Sequence, residues 1–151
     1  MSDTYEGDII RPLGFVTLYS GYAELEIDSL LESLSGVEKL DGKVLRWPVG
    51  KKIAKARDIV DSLSSERLNE LKQKLDEAIA LFDRRNALVH GAIFTGTSVV
   101  KSRVSDREQL VTPDALTSLA QEIFSVKEHI NANRQKSLDP ILAAMQDVDQ
   151  R

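Results

Sequence analysis

The amino-acid sequence predicts an all-α fold: an antiparallel up-and-down bundle of four to five helices, with a short β-hairpin inserted after the third long helix. Two observations predict the bundle. Apolar residues recur at spacings of three and four through four long segments, the period of a helix with one buried face. Start and stop signals, among them Pro12, Gly36, Asp41-Gly42-Lys43, Gly91 and Thr112-Pro113, fall at or between the ends of those segments, and the connections they leave are short. A third, a valine-rich break in that period, predicts the hairpin. At 151 residues, the chain fits a single domain over 1–151 and is long enough to bury a core without cross-links.

The first helix is expected over residues 11 to 35, with Pro12 in its first turn, Val16, Tyr19, Ala23, Ile27, Leu30 and Leu34 on its buried side, and Gly36 as its stop. Asp41-Gly42-Lys43 reads as a turn, and the residue before Pro48, Trp47, is disfavoured in a helix. A second helix follows from about Gly50 to Leu63, with Ile53, Ala56, Val60 and Leu63 on one side. Ser64 or Ser65 is placed to cap the third helix, which carries the longest regular stripe: Leu68, Leu71, Leu75, Ala78, Phe82, then Arg85, then Val89, with Gly91 as the expected end. From 92 to 111 the pattern changes. Val99, Val100, Val104 and Val111, together with Gly96 and the turn-like Ser105-Asp106, suggest the hairpin. Thr112-Pro113 then starts a fourth helix, with Leu116, Leu119, Ile123, Val126 and Ile130 along its buried edge, and Asp139-Pro140 starts a brief fifth through about Met145.

Composition narrows the function. There is no cysteine, which excludes disulfides, thiolate metal sites and thiol catalysis. His90 and His129 lie 39 positions apart and form no recognised ligand set, so no metal and no cofactor is expected. There is no Gly-rich phosphate loop and no nucleophile elbow. The start, Met1-Ser2-Asp3-Thr4, has no signal pattern, and no apolar run reaches the roughly 18 residues of a membrane span, so a cytoplasmic protein without a membrane partner is expected. A net charge of −4 argues against indiscriminate coating of nucleic acid but leaves room for a local basic groove. Lys43, Arg46, Lys51, Lys52, Lys55 and Arg57 follow one another with no acid between them.

The segment Arg84-Arg85-Asn86-Ala87-Leu88-Val89-His90-Gly91 carries the chemistry. Arg85 stands in an apolar seam: its helical neighbours three and four residues away are Leu81, Phe82, Leu88 and Val89. A guanidinium keeps its charge, so in that position it meets a carboxylate, opens into a cleft or binds an anion. Asn86 and His90 are one turn apart on one face; His90 follows Arg85 by about 140° and about 7.5 Å along the axis. Such a cluster suits a phosphate and offers a group that exchanges protons near neutrality. The spacing is equally that of a structural ion pair at Arg85 and of a histidine complementing a helix C-terminus.

Arg85-Asn86-Ala87-Leu88-Val89-His90 resembles the R-x4-H motif of HEPN domains (higher eukaryotes and prokaryotes nucleotide-binding), including the polar residue after the arginine. The bundle architecture and the place of the motif late in the third helix extend the resemblance over most of the chain. It implies a metal-independent endoribonuclease, serving as a toxin or in antiviral defence, with RNA as substrate, an antitoxin as a possible protein partner, and a homodimer whose two motifs line one cleft. Under it, His90 is the general acid/base, Arg85 holds the scissile phosphate, and Asn86 orients His90 or a phosphate oxygen. The rival reading is a non-catalytic module of the same kind that binds a nucleotide, RNA or a protein.

Supporting residues have two readings each. Glu26 is a candidate partner for Arg85, with Glu24 as competitor, and either is equally an ordinary solvated acid. Arg84 either binds phosphate or is a surface residue. Lys51, Lys52 and Lys55 either follow an RNA backbone or form the wet side of the second helix. Trp47 either stacks on a base or packs on the bundle, and His129 is expected at the surface near a fraying helix end.

Overall fold

In a computed structural model, the backbone is described for residues 9–95, 99–101, 108–110 and 112–149, and side chains for 9–89 and 112–148. Five α-helices account for most of it: α1 (Ile10–Leu34), α2 (Val49–Ser62), α3 (Asn69–Thr95), α4 (Pro113–Asn133) and α5 (Asp139–Asp149). Two three-residue strands, β1 (Val99–Lys101) and β2 (Glu108–Leu110), pair antiparallel with Val99 opposite Leu110 and Lys101 opposite Glu108. The residues that would turn the chain between them, Ser105-Asp106 included, lie outside the described set, as do Gly96, Val104 and Val111.

The apolar stripes become one core. Val16, Ala23, Ile27, Leu30 and Leu34 of α1, Ile53, Ala56 and Val60 of α2, Leu71, Leu75, Ala78 and Phe82 of α3, and Leu116, Leu119, Ile123, Val126 and Ile130 of α4 are all buried. Tyr19 is only partly buried, its ring resting 5.1 Å from that of Phe124. Local signals act as their chemistry requires. Asp41 accepts the Lys43 N–H at 3.0 Å and starts a single 3-10 turn, Gly42–Arg46. Thr112 accepts the Ala115 N–H at 3.0 Å with Pro113 in the first turn of α4. Thr112→Ala therefore removes a satisfied helix cap, and a loss of about 1 kcal/mol in the free energy of urea unfolding is expected.

Four expectations are corrected. Gly91 does not end α3, which continues to Thr95. A glycine costs a helix about 1 kcal/mol but stops it only where the chain then turns away. His90 therefore lies inside a helix rather than at its C-terminus. The start of α3 also differs: Ser65 makes no side-chain cap, Ser64 adopts a positive φ of 52°, and a 3-10 turn, Glu66–Leu68, precedes the helix.

The third correction concerns the helix directions, which do not simply alternate up and down. α3 opposes α2, since Arg57 meets Asp76 while Lys72 meets Asp61. It also opposes α4: Arg84 meets Glu122, whereas the turn before α3 touches the segment after α4. However, α1 and α4, the most extensively packed pair, run in the same sense: Tyr19 meets Phe124, and seven residues on Glu26 meets Asn131 and Arg134. The cause is the connection from 35 to 48. It doubles back so that Leu40, Val44 and Leu45 line one groove with Leu25 and Leu31. The chain thus re-enters α2 beside the middle of α1, where Lys52 meets Glu24 and Asp28, and then advances past the end of α1, where Lys55 meets Glu38.

Finally, α4 does not fray near His129. It passes without a break through a π-helical turn, Arg134–Leu138, into α5, which extends beyond Met145 to Asp149.

Candidate functional site

The third helix positions Arg85 between buried Phe82 and buried Leu88, at the edge where the core stripe meets solvent. Its guanidinium lies 5.0 Å from the centre of the Phe82 ring, so an aromatic face backs the charge. Arg85 Nε and Nη2 both donate to Asn86 Oδ1, at 3.1 and 2.5 Å. Among the described residues, no carboxylate is in ion-pair contact with Arg85. Burial holds its pKa below the ordinary arginine value, and Coulombic attraction to Glu24 offsets part of that shift. The group still carries its charge at any physiological pH.

His90 occupies the next turn after Asn86 on the same unbroken helix. Its side chain lies outside the described residues. Asn86 is exposed.

The supporting residues are distributed differently from the expected cluster. Glu26 is buried and faces α4 rather than Arg85, accepting from Arg134 Nε at 2.8 Å and Asn131 Nδ2 at 2.9 Å. The hydrogen bond to Glu26 is the main reason the Arg134 pKa lies above the ordinary value; burial opposes it. Glu24, its competitor, is the acid that acts on Arg85, although its hydrogen bond goes to Lys52. Arg84 bridges α3 and α4 through Glu122 at 2.7 Å, beside a groove also lined by Lys74, Glu77 and His129.

The lysine run is largely committed within the fold. Lys52 is 1% exposed, and its ammonium donates to Asp28 at 2.9 Å and Glu24 at 3.0 Å, which removes it from any nucleic-acid surface. Burial lowers its pKa, but the hydrogen bonds to Asp28 and Glu24 and the Coulombic attraction of both acids together raise it more, leaving it above the usual lysine value. Lys55 pairs with Glu38 at 2.5 Å. Lys51 is exposed and lies 4.1 Å from the centre of the Trp47 ring, which is itself partly buried against the core. Arg57 pairs with Asp76.

The arrangement is thus one partly desolvated cation on an aromatic backing, with an amide oxygen accepting from two of its N–H groups and Glu24, itself hydrogen-bonded to Lys52, attracting it through space. A cation held in this way presents its remaining donors to an incoming oxyanion. The sequence carries a signal for the burial of Lys52, which fits neither an RNA-facing nor a wet-side lysine. It stands three residues after Val49 and four before Ala56, on the buried face. Glu26 is adjacent to Ile27 on the buried side of α1.

Among the described residues, no group of three or more histidines and carboxylates is placed to hold a metal ion, and no helix is long and apolar enough to cross a membrane. No family model matches the chain, and no curated protein or solved structure matches it either.

Proposed function

We propose that the chain is a HEPN-like endoribonuclease acting through Arg85, Asn86 and His90 of α3, serving as a toxin or defence protein. The observation that carries this reading is the state of Arg85: half-sunk in the core edge, backed by Phe82, and without a carboxylate contact among the described residues. A purely structural arginine at that position would be expected to lie in an ion pair, as Arg84, Arg57 and Arg134 do. In the proposed reaction, His90 takes the proton of an RNA 2′-hydroxyl as its oxygen attacks the adjacent phosphorus. Arg85 neutralises the charge that builds on the non-bridging oxygens, and Asn86 holds the guanidinium fork through Oδ1 while its amide donates toward phosphate. The P–O5′ bond breaks, the 5′-oxygen takes up a proton, and a 2′,3′-cyclic phosphate remains. DNA, lacking the attacking hydroxyl, is not cut.

The test is cleavage of structured RNA in excess EDTA. Arg85→Ala is expected to slow cleavage by about 10²–10³-fold and His90→Ala by about 10²–10⁴-fold, with unfolding curves unchanged. Wild type that leaves a broad RNA set intact, and is as harmless on expression as both variants, defeats the proposal.

A second reading is favoured by the charge arrangement. With Lys52 buried and Lys55 and Arg57 paired, half of the six-residue basic run is committed within the fold, and the net charge is −4. A non-catalytic module would use the same Arg85 to bind a nucleotide, RNA or an acidic protein segment. Binding of RNA that is lost in Arg85→Ala, without cleavage in either protein, selects it.

A further inference from the structure

We infer that the groove between α1 and the connection 35–48 is a binding site for a small amphipathic amine, an ammonium group carried on an apolar body. The inference does not rest on the nuclease reading, and the groove shares no residue with Arg85, Asn86 or His90.

The groove has a volume of about 350 Å³, within the roughly 300–1,000 Å³ that small-molecule sites occupy. Buried Leu31 and Val44 form its floor. Its lips are Leu25 of α1, 63% exposed, and Leu45 of the 3-10 turn, 57% exposed. Two leucines left in water on opposite walls of one hollow hold apolar surface that the body of a ligand would cover favourably.

The charge of the lining selects the head of the ligand. Asp28, Glu32 and Asp41 line the groove, and among the described residues no lysine, arginine or histidine does. Lys52 neutralises Asp28 from the protein side, where it also serves Glu24. Glu32 and Asp41 are exposed, and neither is in an ion pair with a described residue.

The helix adds to this field. Glu32 stands two residues before the end of α1, whose last turn holds no basic residue. Carbonyls at a helix C-terminus present partial negative charge, so a carboxylate there is unfavourable and a cation favourable. Asp28 and Glu32 are also four residues apart, about 6 Å along the axis, a like-charged spacing that weakens a helix. α1 thus carries acids where its own stability calls for bases, and a cation lodged in the groove relieves both penalties. The same field turns away anionic ligands, a nucleotide or a nucleic-acid phosphate included. A protein partner would have to cover on the order of 800 Å² of this chain, whereas three carboxylates and five apolar side chains here converge on one compact ligand.

The test is titration of the full chain with phenylbutylamine, followed by NMR of the backbone amides. Phenylbutanol and phenylbutyrate serve as neutral and anionic ligands with the same body. The amine should bind with a Kd on the order of 1 mM or tighter, the alcohol about tenfold more weakly, and the carboxylate not measurably. Shifts should centre on Ser29, Gly42 and Leu45 and leave Leu81 and Val126, in the groove between α3 and α4, unmoved. Glu32→Gln/Asp41→Asn keeps the shape of the lining, and asparagine can still accept the Lys43 N–H. This variant should bring the amine to within about threefold of the alcohol, with a Tm no lower than that of wild type. Leu25→Ala/Leu45→Ala should weaken amine and alcohol alike. Equal binding of amine and alcohol, an affinity untouched by Glu32→Gln/Asp41→Asn, or shifts centred elsewhere overturns the inference. So does a wild type that ignores the amine, whether a lysine- and leucine-bearing peptide takes the groove instead or two copies of the chain cover it.

Discussion

Lys52→Met is expected to destabilise the folded chain by about 2 kcal/mol, seen as a fall of roughly 6 °C in Tm. The ammonium of Lys52 is out of water and satisfied by two carboxylates, Asp28 at 2.9 Å and Glu24 at 3.0 Å, which fasten the start of α2 to the middle of α1. Breaking a fully buried pair usually costs about 3–5 kcal/mol, because the remaining charge is stranded. Here the two acids keep part of their surface in solvent and can rehydrate, so the loss is smaller. The pH dependence has a definite sign. The folded pKa of Lys52 is raised, so its contribution is fully present below the ordinary value of 10.5 and is lost as pH rises through the higher folded value. The Tm gap between wild type and Lys52→Met should stay constant around neutrality and close as pH climbs beyond 10.5. A gap that is negligible at neutral pH would remove the ion pair from the account of the fold.

Phe82→Ala is expected to be more damaging still, at about 3–5 kcal/mol in urea unfolding, since it opens a ring-sized cavity in the core. Phe82 is 2% exposed and lies on the stripe that α3 turns toward the core. Phe82→Leu refills most of that space and should cost only about 1–1.5 kcal/mol. The leucine variant separates the two duties of this residue, because it keeps the packing but removes the aromatic face under Arg85. If Arg85 acts on phosphate as proposed, Phe82→Leu should reduce cleavage by more than its small stability loss explains. Equal activity in wild type and Phe82→Leu would show that the ring serves the core alone.

The parts of the fold that were legible in the sequence depend on local or periodic chemistry. The α1 and α3 stripes were readable because burial repeats with the helical turn, and the start of α4 because Thr112 and Pro113 act within four residues of themselves. What was not legible depends on distant partners. Glu26 was a plausible companion for Arg85 by helix position, yet its ligands, Asn131 and Arg134, lie 105 and 108 residues away. Lys52 reads as a solvated lysine until Glu24 and Asp28 are brought against it. The shared sense of α1 and α4 was hidden as well. A 14-residue connection, 35–48, is long enough either to cross to a new position or to fold back, and only the packing of Leu40 and Val44 beside Leu25 and Leu31 decides between them. For the candidate site, the seam position identified Arg85 as unusual, and the aromatic backing and the lack of a carboxylate contact among the described residues are properties that only three-dimensional placement supplies.

The π-helical segment Arg134–Leu138 also affects how α5 is presented. A turn of that kind holds one residue more than an α-helical turn, so it changes the phase of the helix without changing its direction. Leu138 still points fully inward, whereas farther along Met145 and Val148 stand in solvent. Arg134, gripped by Glu26 and near Asp139, pins the place where this slip occurs. The eleven residues of α5 are therefore angularly offset from the rod that bears them, and excising a single residue between 134 and 138 would rotate their oily edge by about 100° about the common axis.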